Sequence, residues 1–97
     1  MTIETVAFTP DKYFRSIAAQ AHLISDAMAS GDAGYIADAV GIVARRHGIG
    51  EVAKRTGLNR QALYSALSEG GNPTLTTLLK VLAALDLELT VRAKAAA

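Results

Sequence analysis

The sequence predicts an all-α fold of five helices followed by one short C-terminal β-strand. Three observations predict it. Apolar residues recur at three- and four-residue spacing along most of the chain, which marks one apolar face per helix. Hydrophobic residues make up 51%, aromatics only 5%, and 19 of the 97 residues are alanine. That composition suits helices packed closely together and argues against a sheet protein. Helix-start and helix-stop residues follow one another at short intervals, so no linker divides residues 1–97 and one domain is expected.

Residues 1–9 show Ile3, Val6 and Phe8 without a period and read as an arm. Thr9, Pro10 and Asp11 form a helix-start signal: a capping residue, a proline at the first helical position and an acid in the first turn. Ile17, Ala21, Ile24 and Met28 then make one apolar face. Ser30, Gly31 and Asp32 end that helix and cap the next, whose face is Ile36, Val40 and Val43. Gly48 stops the second helix after Arg45, Arg46 and His47, cations that complement the negative helix end. A short helix is expected from about residue 50 to 56. Another, capped by Asn59, runs from Arg60 to about Ser68. Thr74 caps the last helix, with Leu75, Leu78, Leu79, Leu82 and Leu85 along it. Residues 87–92 alternate strictly and read as one strand. Residues 93–97 are a tail.

Several function classes are excluded. With no cysteine, the chain has no disulfide, zinc-thiolate site or thiol nucleophile. His22 and His47 stand without neighbouring ligand types, and no acid–base or nucleophilic constellation is present, so no enzyme, metal or cofactor is expected. Residues 1–10 lack the basic and apolar regions of a signal peptide. No apolar stretch has membrane-spanning length. A cytoplasmic protein is the expectation.

The net charge of +1 hides an asymmetry. Residues 1–44 carry Lys12 and Arg15 against Glu4, Asp11, Asp26, Asp32 and Asp38. Residues 45–97 carry the other eight basic residues against four acids, and Arg45, Arg46, Lys54, Arg55 and Arg60 crowd one run. A polyanion would meet this second half.

Residues 49–68 carry the most specific signal. Two short helices that meet at a sharp turn need a small residue inside the first, which Ala53 supplies. They need a position tolerant of positive φ in the turn, which Gly57 supplies. A branched apolar residue must return from the second helix, which Leu63 does, with Val52 and Leu58 filling the remaining apolar positions. That is the pattern of a helix-turn-helix unit; an ordinary helical hairpin is the plain alternative. The outward positions of the second helix are Asn59, Arg60, Gln61, Tyr64, Ser65 and Ser68. Arg60 suits guanine O6 and N7, and Gln61 suits adenine N6 and N7. Tyr64 suits a thymine methyl or a phosphate, and Asn59 a phosphate. Lys54 and Arg55, on the first helix, are candidates for the DNA backbone. For each polar residue, solvation is the competing explanation. Arg45 and Arg46 read as dipole or acid partners, His47 as a C-terminal cap and His22 as a surface residue.

Residues 49–68 (IGEVAKRTGLNRQALYSALS) resemble the helix-turn-helix of the phage-repressor (Cro, XRE) class, and residues 71–85 (GNPTLTTLLKVLAAL) its following segment. With Phe8, Tyr13, Phe14 and the Ser30, Gly31, Asp32 turn, residues 8–92 are similar to addiction-module antidote proteins, antitoxins of HigA type encoded beside small RelE-like toxins. The resemblance implies a five-helix lambda-repressor-like domain. It implies a sequence-specific repressor that binds double-stranded operator DNA, neutralises a RelE/HigB-like toxin and regulates its own operon. Such proteins often carry Ser-Gln where this chain has Gly50 and Glu51, a weaker cap with an acid near the phosphates. Alternatives are a stand-alone phage-type regulator and a helical protein-interaction module.

A lone terminal strand cannot satisfy its own backbone groups. Leu87, Leu89 and Val91 share one face, so antiparallel pairing with a second copy is expected, giving a homodimer matched to a palindromic operator. Pairing with Ile3 and Val6 of the same chain is the alternative. For a toxin partner, the acidic first half is the candidate surface.

Overall fold

The computed structural model describes residues 16–95. Its elements are α1 (Ile17–Ser30), α2 (Ala33–His47), α3 (Ile49–Thr56), α4 (Arg60–Ala66) and α5 (Leu75–Ala84). All regular structure among the described residues is helical, and no helix there is long and apolar enough to cross a membrane.

Capping residues set most of the boundaries. The Ser16 hydroxyl accepts from Ala19 N–H, and extended Ser16 starts α1. The start signal at Thr9, Pro10 and Asp11 lies outside the described residues, as do the arm and residues 96–97. One Asp32 carboxylate oxygen accepts from both Gly34 and Tyr35 N–H at the start of α2. The Asn59 side chain accepts from Ala62 N–H and starts α4, and Thr74 does the same for α5 through Thr77 N–H. Each such cap stabilises its helix by about 1 kcal/mol.

The helices sit on one core. Ile24 of α1, Val40, Val43 and Ala44 of α2, Ile49 and Val52 of α3, Leu63 of α4, and Val81 and Leu82 of α5 are buried together with Leu67 and Leu85. α3 is the hub: it packs against α2, α4 and α5, while α1 packs on α2. An eight-residue helix has no stability alone. Its buried Ile49 and Val52, held from three sides, fix it in place.

The buried face of α1 is turned from the expected one. Gln20, Ile24 and Ala27 are buried, whereas Ile17 is half-exposed. The polar Gln20 goes inside because its Oε1 lies 3.2 Å from His47 Nε2 at the end of α2. This also overturns the expected role of His47: its ring ties α2 to α1 rather than capping its own helix.

The C-terminal strand expected over 87–92 is not formed among the described residues. A strand exists only through a ladder, and the segment has no neighbouring strand among the described residues. Residue 87 has a different role. Leu85 caps α5, Asp86 takes a left-handed conformation (φ 62°), Asp86 N–H bonds Ala83 O, and Leu87 N–H bonds Leu82 O at 2.8 Å. This is a Schellman ending, in which the residue after the left-handed one packs back on the helix. Leu87 is accordingly partly buried against the core of its own chain. Asp86→Gly removes the steric cost of a left-handed Cβ and is expected to raise stability by about 0.5–1 kcal/mol in urea unfolding.

Candidate nucleic-acid interface

α3 and α4 are joined by a tight turn that the local sequence closes. Gly57 has φ 74°, a conformation that a Cβ penalises, and its N–H bonds Ala53 O at 2.8 Å. The Thr56 hydroxyl bonds Val52 O at 2.8 Å and accepts from Leu58 N–H at 3.2 Å. Val52 and Leu63 meet in the core beneath, each 1% exposed, with Ala53 and Leu58 packed at its edge.

Burial of Leu63 and Leu67 turns the opposite side of α4 outward. Asn59, Arg60, Gln61, Tyr64 and Ser65 are all exposed. Asn59, Arg60, Gln61 and Tyr64 line one open depression on the surface. Five of the six outward positions expected from the sequence are thus brought together. Ser68 is the exception. α4 ends at Ala66, and the Ser68 hydroxyl turns back onto Ser65 O at 3.0 Å. Gly71 lies so close to the Ala66 carbonyl that a Cβ there would fall upon it.

The cations divide into two groups. Arg45 reaches from α2 to donate to Leu67 O at 3.3 Å, and Arg55 reaches from α3 to donate to Ala84 O at 3.0 Å. Each places a positive charge on the carbonyl end of another helix, where the dipole favours it. Arg55 also donates to Glu51 at 3.1 Å, an i,i+4 pair. Arg55 thus has structural partners in addition to its expected place on the DNA backbone. Lys54 and Arg60 are exposed and make no hydrogen bond or ion pair among the described residues. Glu51, read from the sequence as an acid facing phosphates, is held by Arg55. The cap of α3 is Gly48, two residues before Gly50, and it makes no side-chain cap bond.

The residues that sequence reasoning missed are those that aim α4. Gly41, in mid-α2, lies so close to the Leu67 carbonyl oxygen that a Cβ there would fall upon it. A glycine in the middle of an alanine-rich helix was the available signal. His22 is exposed beside Asp26 at 3.6 Å. No cluster of three metal-ligating side chains occurs among the described residues.

A family model described as "probable addiction module antidote protein" matches residues 4–93. The chain belongs to this family. The match takes in all five helices and the segment beyond α5. A protein of Haemophilus influenzae (strain ATCC 51907 / DSM 11121 / KW20 / Rd), described as uncharacterized, is 42% identical over 57 residues. That stretch covers 59% of the antidote-family chain described here and 59% of the relative. No solved structure matches.

Proposed function

We propose that the protein is the DNA-binding antitoxin of a toxin–antitoxin module, which neutralises a RelE/HigB-like toxin in the cytoplasm and represses its own operon as a homodimer. It works by binding and not by catalysis. The observation that carries the DNA-binding part is the outward face of α4, where Asn59, Arg60, Gln61, Tyr64 and Ser65 stand exposed over a fixed apolar base. In this reading α3 and α4 form a helix-turn-helix of HigA-type, phage-repressor kind, and α4 enters the major groove. Arg60 and Gln61 read base edges, Tyr64 and Ser65 contact a thymine methyl or phosphate, and Lys54 meets the backbone. The Asn59 oxygen caps α4, which leaves its NH2 group for a phosphate. Membership of the antidote family supports the antitoxin part. The acidic first half, with Asp26 and Asp38 on α1 and α2, suits a basic ribonuclease toxin.

A gel shift with the DNA upstream of the gene tests the first part. If a dimer neutralises about six phosphates, log K falls against log salt with a slope of roughly −5. A flat response excludes the electrostatic model. Co-purification with the product of the adjacent gene tests the second part; operator binding without such a partner favours a stand-alone regulator.

A further inference from the structure

The end of α5 leaves a short segment whose partner can be deduced. We propose that two copies of the chain join residues 88–92 as an antiparallel ladder centred on a two-fold axis at Thr90, with Glu88 facing Arg92 of the partner subunit. This rests on the homodimer reading above and adds its register, which that reading leaves open.

Two observations limit the pairing. Leu87 is engaged within its own chain, by its N–H on Leu82 O and by its side chain on the core, so a ladder begins no earlier than Glu88. From Glu88 to Ala95 every residue is exposed, and no backbone hydrogen bond satisfies the segment among the described residues. Leu89 is 41% and Val91 96% exposed. A row of unpaired N–H and C=O groups carrying exposed apolar side chains is an edge that calls for another strand.

The sequence of the segment then selects the register. Directly opposed residues of an antiparallel pair share a face, so a two-fold axis lying between residues would set apolar against polar side chains. An axis at Glu88 or at Arg92 opposes like charges. One at Leu89 needs Leu87, which is already buried. One at Val91 sets Leu89 against an alanine. With the axis at Thr90, Leu89 faces Val91 of the partner subunit, Glu88 faces Arg92 of the partner subunit, and Thr90 faces its own copy. Apolar, opposite-charge and Thr–Thr pairs are the favourable cross-strand pairs. Glu88 and Arg92 make the segment complementary to itself, which points to a second copy rather than a partner of one charge sign.

The chain has no cysteine, so single-cysteine variants of the full protein report the register. Opposed residues lie about 4.5–5.5 Å apart at Cα, within disulfide reach. Under mild oxidation Thr90→Cys should form a covalent dimer, whereas Glu88→Cys, four residues along the strand from its own symmetry mate, should not. In sedimentation of the reduced proteins, Glu88→Arg and Arg92→Glu should each weaken self-association about tenfold or more, and the double exchange should restore it. A wild-type dimer unaffected by either charge change, or one in which Glu88→Cys links as readily as Thr90→Cys, overturns the register and leaves the homodimer standing. A wild-type chain that stays monomeric overturns both.

Discussion

Replacing Gly41 with alanine lowers the stability of the protein by about 2 kcal/mol, although helix propensity alone predicts the opposite sign. An alanine in a helix interior is worth about 1 kcal/mol over glycine. Here the added Cβ falls on the carbonyl oxygen of Leu67, a backbone atom that cannot swing aside as a side-chain tip does. Forcing atoms into such a contact costs about 3 kcal/mol, so packing outweighs propensity. The loss is large for a domain whose whole stability is about 5–10 kcal/mol. Leu67 is the cap of α4 and the acceptor for Arg45, so the strain falls on the segment that aims the candidate reading helix. Gly50→Ala is the control: its Cβ would meet only the tip of Arg60, at 3.9 Å. Urea unfolding should show Gly41→Ala destabilised and Gly50→Ala unchanged or slightly more stable. Equal gains at both sites would mean that α2 stands further from Leu67.

Arg60→Ala and Lys54→Ala are expected to weaken DNA binding in different ways. Arg60 opens α4 and lines the exposed depression with Asn59, Gln61 and Tyr64. Loss of a two-pronged contact to guanine costs about 1–3 kcal/mol and relaxes preference at one base pair per half-site. Lys54 lies in the last turn of α3, outside the groove in the proposed docking. Its loss weakens all sequences alike and lowers the salt slope by about one unit per contact. Both side chains are exposed, so the fold survives in either variant, with circular dichroism as the check. Binding to a panel of single-base operator changes separates the two. If Arg60→Ala lowers affinity equally for every sequence, Arg60 holds phosphate and the proposed docking of α4 is wrong.

Local chemistry was legible in the residues. Asp32, Asn59 and Thr74 were read as caps, and each accepts the expected backbone N–H. Gly57 was read as the positive-φ position of the turn, and it is. Leu63 is the expected apolar residue returning to the first short helix and Val52 an expected apolar position of that helix, and both are buried. These features depend on neighbours within about one helical turn, which the sequence displays directly.

What depends on distant residues was not legible. The helix of Arg55 shows only its charge and its exposure; the bond to Ala84 O, 29 residues later, is not visible in that pattern. Gln20 of α1 is buried beside His47 of α2, 27 residues later, a contact that spacing within α1 does not display. Leu87 looked like the first residue of a strand because alternation says nothing about where a helix end folds back; the Schellman turn at Asp86 takes it into the core. The sequence by itself determined the five helical segments, the caps at Asp32, Asn59 and Thr74 and the exposed face of α4, because these follow from residue types and spacing within a few turns. Only the tertiary structure decided that Gln20 is buried and that Arg45 and Arg55 reach the carbonyl ends of other helices. Helix carbonyl ends and backbone close approaches become available as partners when separate helices meet, and no local pattern records which side chain will reach them first.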